Sequence, residues 1–143
     1  MKKLSLLFAI LTLAFLLSAC AGVGDWASEP LAADFEIWRL SGHNIELVKR
    51  TGEHSARTVV EAEVYAVAWD ENTIFVQHEP MAEVNAQYTK EPHGELDYYI
   101  LFVSSEELLG PFTHAEFEEA CESRGLSIPQ EWTPVRDLPR QRE

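Results

Sequence analysis

Between residues 34 and 103 the apolar positions recur mostly with a period of two, the spacing of a strand with one buried face. "DFEIWRL", Asp34 to Leu40, alternates and is rich in aromatic and branched residues. "SGHN", Ser41 to Asn44, has turn composition, and "IELVK", Ile45 to Lys49, predicts a second short strand. The longest predicted strand is "TVVEAEVYAVAW", Thr58 to Trp69. Period two sets Val60, Ala62, Val64, Ala66 and Ala68 on one side of it, with Glu61, Glu63, Tyr65, Val67 and Trp69 on the other. The Ala and Val side invites a second layer, expected to be a helix. "DENT", residues 70 to 73, ends that strand before "IFVQH", Ile74 to His78. A polar stretch with Pro80, Pro92 and Gly94 follows without a period, and "LDYYILFV", Leu96 to Val103, is apolar on both faces, as a central strand is. Short turns between neighbouring strands imply antiparallel pairing.

One segment changes period. "GPFTHAEFEEACESRG", Gly110 to Gly125, predicts a helix. Thr113 and Glu116 stand at capping-box spacing, Phe112 and Phe117 at the positions of a hydrophobic staple. Gly125 is placed for a left-handed C-cap, with Leu126 folding back on Cys121. Phe117, Ala120 and Cys121 share the inward face, whereas Glu116, Glu118, Glu119 and Glu122 face water. The expected fold class is α+β: an antiparallel sheet of about five strands packed on one C-terminal helix.

The N-terminus has another pattern. Lys2 and Lys3 precede a run from Leu4 to Ala19 that is apolar apart from Ser5, Thr12 and Ser18. As a helix it would reach roughly 24 Å, short of the about 30 Å of a bilayer's hydrocarbon core. Charge, short apolar core and small residues form the layout of a secretory signal. Leu17-Ser18-Ala19-Cys20 resembles a bacterial lipobox, which implies cleavage before Cys20 and acyl chains on its sulfur and amine. Two or more such chains hold a protein stably on a membrane. The expected division is a signal peptide over 1–19, a lipidated N-terminus and tether over 20–32, and one globular domain over 33–143. The expected address is the cell membrane or outer membrane, facing away from the cytoplasm, with the lipid on Cys20 as the membrane partner.

Charge narrows the partners. The formal net charge is −13, and residues 20–143 hold nine Lys and Arg against 24 Asp and Glu, a net −15. Such a surface lacks the cations that release counterions from a nucleic acid, so no nucleic-acid partner is expected. Of two cysteines the lipobox takes one, leaving Cys121 without a disulfide mate. Its acidic helix neighbours and its place at a helix C-terminus oppose a thiolate, so a packing role is expected. Arg136, Arg140 and Arg142 make the end of the chain locally basic.

Catalytic patterns are sparse. Phosphate-binding glycine loops, G-x-S-x-G and H-E-x-x-H are absent from the sequence. The histidines are His43, His54, His78, His93 and His114. His78-Glu79 and His93-x-Glu95 supply metal-ligand types on or beside the polar loop, and Glu61 with Glu63 supplies an acid/base pair if the fold joins them. The ordinary alternative for each is a solvated surface group. Ser104, Ser105 and Ser123 have no evident base beside them. No cofactor, metal ligand or catalytic residue is assigned, and lipidation at Cys20 is the assigned site.

Two resemblances complete the reading. "YYILFVSSEELLGPFTHAEF" is similar to the entry of a GYF-type module through Gly110-Pro111-Phe112, but Arg124-Gly125-Leu126-Ser127 stands where that module's tripeptide would follow. Over nearly all of the mature chain, the lipobox Cys20, "AGVGDW" (Ala21 to Trp26), "IWRLSGHNIEL" (Ile37 to Leu47), "VAWDENTIFVQ" (Val67 to Gln77), "DYYILFV" and "GPFTHAEFEE" resemble, in this order, the domain-of-unknown-function 3997 family of small bacterial lipoproteins. The loop from Pro80 to Gly94 departs from it. The resemblance implies the anchor, one domain and strands before a helix; it carries no catalytic residue. The expected function is therefore a lipid-anchored binding or interaction protein of the cell envelope, with a possible envelope protein as partner. The alternative is an envelope enzyme or metal-binding protein using the His- and Glu-bearing loop around residues 78–95.

Overall fold

The computed structural model describes residues 27–80 and 94–139. Nine strands and one helix follow in chain order: β1 Ala27–Ala32, β2 Phe35–Arg39, β3 Ile45–Gly52, β4 Ser55–Val60, β5 Val64–Trp69, β6 Thr73–His78, β7 Asp97–Phe102, β8 Glu107–Phe112, α1 His114–Ser123 and β9 Thr133–Pro134. They form two sheets, β1-β2-β3-β4 and β8-β7-β6-β5-β9, and every pairing is antiparallel. The α+β class and the five-stranded sheet with its C-terminal helix are present. The expectation of one sheet is incomplete, because the first four strands form a second sheet of their own.

The reason lies at residues 61–63. The alternation through Thr58 to Trp69 continues in sequence, but the chain leaves one sheet after Val60 and enters the other at Val64. The Ala62–Glu63 peptide between them is cis. The predicted twelve-residue strand is thus two six-residue strands joined by an elbow. β5 also bulges between Val64 and Ala66, so the period slips and Ala66 and Val67 are both buried.

Each face of the five-stranded sheet then meets a different layer. Ile74, Val76 and Leu101 point with Val64 and Val67 toward Phe35, Ile37, Ile45, Leu47 and Val60 of the four-stranded sheet. Ile37, Leu47 and Val60 lie across from one another in register, so three strands contribute one continuous apolar row. Phe75 and Ile100 point the other way, onto Phe117 and Cys121 of α1. The order of layers is sheet, sheet, helix, and the alternation in β6 and β7 is what lets one sheet serve two cores. The helix therefore covers mainly β6, β7 and β8; from the Ala and Val side of the expected long strand, only Ala68 joins this cluster.

α1 begins and ends as its sequence dictates. Thr113 accepts from the Glu116 backbone N–H at 3.4 Å, and the Glu116 carboxylate accepts from the Thr113 N–H at 2.8 Å, completing the capping box. At the other end the Leu126 N–H donates to the Cys121 carbonyl at 2.9 Å and the Gly125 N–H to the Glu122 carbonyl at 3.0 Å, a Schellman closure with Gly125 at φ 66°. Phe117 is fully buried, worth about 1.5–3 kcal/mol. It stacks on Tyr98 at 5.1 Å and meets Phe75 edge-on at 5.9 Å. Before the helix, Gly110 has φ 119° and lies so close to β7 that a Cβ there would stand 2.6 Å from the Tyr98 carbonyl oxygen. No other residue type suits both constraints.

Candidate functional site

The elbow between the sheets gathers several of the polar residues singled out in the sequence. Glu61 and Glu63 do not sit on one strand face; they flank the cis peptide outside both strands. Glu61 is exposed and lines a cleft of about 480 Å³ with the Ser41–Asn44 turn, Glu46, Thr58 and Ala62. Glu63 turns inward, its side chain only 16% exposed, with Arg136 Nη2 at 3.4 Å and His43 Nδ1 at 3.8 Å. The two carboxylates thus have unlike settings, one open to the cleft and one held between two nitrogen bases. Thr58 Oγ1 donates to Glu46 at 2.9 Å across the cleft wall.

His78 and Glu79 close the elbow from the other sheet. The Glu79 N–H donates to the Glu63 carbonyl at 2.9 Å, and the Glu63 N–H donates back at 3.4 Å. His78 Nε2 lies 3.1 Å from the Ala62 carbonyl, an acceptor only, so Nε2 carries the proton and donates. The other ring nitrogen is buried without a hydrogen-bond partner, 3.7 Å from Asp97 Oδ2. The ring meets Tyr99 edge-on at 5.7 Å. Burial pushes the Tyr99 phenol upward, and the Asp97 and Glu61 carboxylates push it further, so Tyr99 stays neutral at ordinary pH. His78 is therefore tied to the backbone of the elbow, and its place is that of a brace between β6 and residue 62.

Among the described residues no group of three His, Cys, Asp or Glu side chains stands close enough to hold a metal ion. His93 lies outside the described residues, as do residues 81–92 of the polar loop. Cys20 and the signal segment also lie outside them. The serines serve local structure: Ser105 Oγ accepts from the Glu107 N–H at 3.4 Å, and Ser123 Oγ donates to the Ala120 carbonyl at 3.0 Å.

Cys121 is fully buried in the helix core. Desolvation raises its thiol pKa first, and the Glu118 carboxylate raises it further. Both causes suppress the thiolate that a nucleophile needs.

His43, which lines the cleft, and Arg136 are the elbow residues that sequence reasoning named without joining them to Glu63. Their partner Glu63 is 20 and 73 positions away, and only the β2–β3 turn and the segment after β9 carry them to it. Nothing in local spacing signals such a meeting. At this same end of the molecule Arg39, buried on the inner face, donates from Nη2 to the Leu138 carbonyl at 3.2 Å.

A model of the DUF3997 family, described as a protein of unknown function, matches residues 32–133, from the last residue of β1 to the first of β9. No curated protein and no solved structure matches the chain.

Proposed function

The chain belongs to the DUF3997 family, and we propose that it works as a lipid-anchored binding protein on the outward side of a bacterial cell membrane or outer membrane. The observation that carries this reading is the sequence from Lys2 to Cys20: positive end, short apolar core, and Leu17-Ser18-Ala19-Cys20 at its close. Seven positions separate Cys20 from the start of β1 at Ala27, at most about 25 Å of extended chain. A sandwich tethered so closely works at the membrane surface. A net charge of −15 over residues 20–143 supports the need for an anchor, since such a surface is repelled by anionic lipid headgroups and gains no adhesion from charge. The same charge favours partners with basic surfaces.

The test is acyl labelling in a bacterial host. Wild-type protein should take up labelled palmitate and be cleaved before Cys20, while Cys20→Ser should remain uncut and unlabelled. Palmitate still on the Cys20→Ser protein would sink the reading.

A further inference from the structure

We propose that the groove between the β1–β2 and β5–β6 turns docks a cationic, extended segment of a partner protein, with Trp69 as its anchor. This deepens the binding-protein reading and rests on it for the cellular setting. The groove measures about 400 Å³ and is lined by Leu31, Ala32, Ala33, Trp69, Asp70 and Glu71. It opens at the pole opposite the elbow. β1 starts at Ala27, across from Arg39 at the elbow end, and runs to Ala32 at the groove; β5 likewise runs from Val64 at the elbow to Trp69. The groove thus lies at the end of β1 remote from Ala27, where a tether on the N-terminal side would attach.

Its chemistry selects the occupant. Trp69 is 38% exposed, and among the described residues Leu40 is the other large hydrophobic that stands exposed. Leu31, Ala32 and Ala33 line the groove with Trp69, and the same lining carries two carboxylates, Asp70 and Glu71, and no Lys or Arg. Asp70 is held in place because its Oδ1 accepts from the Asn72 and Thr73 N–H groups at 2.7 and 2.9 Å. An indole face next to fixed negative charge attracts a guanidinium or ammonium group, whose alkyl stem then covers Leu31, Ala32 and Ala33. A volume of this size accepts a few residues of extended chain and is too open to enclose a small amine. The net negative charge of the molecule as a whole raises the encounter rate of a basic segment.

The experiment uses the full chain in neutral detergent and a labelled hexapeptide alternating lysine and alanine, followed by fluorescence anisotropy at about 0.15 M salt. Wild-type protein should bind it. Trp69→Ala should weaken binding about fivefold or more, and Trp69→Phe should lose less, since an aromatic face remains. Glu71→Gln should weaken it as well, whereas Glu119→Gln, an equal loss of charge on the exposed side of α1, should not. Equal losses from Glu71→Gln and Glu119→Gln would mean diffuse charge attraction and overturn the groove. So would unchanged binding by Trp69→Ala, equal binding of a glutamate–alanine peptide, or Trp69-dependent binding of phosphatidylcholine vesicles in place of the peptide. Acyl labelling separates this from the anchor: peptide binding that fails while labelling succeeds removes the groove alone, and Trp69-dependent binding with failed labelling removes the anchor alone.

Discussion

Cys121 shows how little a residue's chemistry says before its surroundings are known. Its thiol lies among Phe75, Ile100 and Phe117, with Leu126 brought over it by the Schellman turn. Burial and Glu118 both disfavour the thiolate. Thiol titration of native protein should therefore be slow and become fast on denaturation, and Cys121→Ala should cost about 1–2 kcal/mol, near the low end for core truncation. Rapid reaction of Cys121 in the native state at neutral pH would return it to the list of nucleophiles. The sequence pointed to this outcome correctly, because helical spacing alone sets Cys121 beside Phe117. It misjudged the opposing surface, because which strands lie under a helix is a matter of sheet order.

At the scale of elements, the helix was legible almost residue by residue; β2 to β7 were legible as strands, with β4 and β5 read as one, whereas β1 fell in the expected tether and β8 and β9 went unread. The capping box and the C-terminal glycine act within one turn of backbone, so local sequence contains all the atoms involved. Thr113→Ala should lower stability by about 0.5–2 kcal/mol in denaturant melts, the usual worth of such a cap. An unchanged midpoint would mean that the helix draws nothing from this contact. The elbow at 61–63 was not legible. Alternation persists through Val60, Ala62 and Val64, and both valines are buried in the same core although they belong to different sheets. A pattern that satisfies both sheets cannot mark the point where the chain crosses between them. The candidate site failed to resolve for the same reason: Glu61 and Glu63 each stand between a Val and an Ala, and only the crossing turns one out to the cleft and the other in toward Arg136 and His43.

Across the whole molecule, Glu106 links the two sheets. It sits in the β7–β8 turn with φ 58°, and its carboxylate meets Lys49 of β3 and, at 3.2 Å, Arg57 of β4. The Lys49 hydrogen bond chiefly holds its pKa below the ordinary glutamate value of 4.5, with the Lys49 and Arg57 charges adding. A carboxylate depressed by folding stabilises the native state above its unfolded pKa, and this support is lost as pH falls through the lower folded value. Stability measured by denaturant should thus decline as acid is added below about pH 4.5. Glu106→Gln should start less stable at neutral pH and show a shallower decline, and parallel curves for the two proteins would show that the link contributes nothing. What the sequence determined by itself was local or compositional: strand periodicity, helix ends, the acidic net charge and the family. These depend on neighbours within a few residues or on simple sums of charge. Only the tertiary structure decided that the strands divide into two sheets, that one sheet carries a core on each face, and that Trp69 and Leu31 line one groove. Those outcomes depend on which apolar faces find one another across long sequence separations. Burial rewards contact between such faces without direction, so many pairings satisfy the same pattern until the chain's crossings select one.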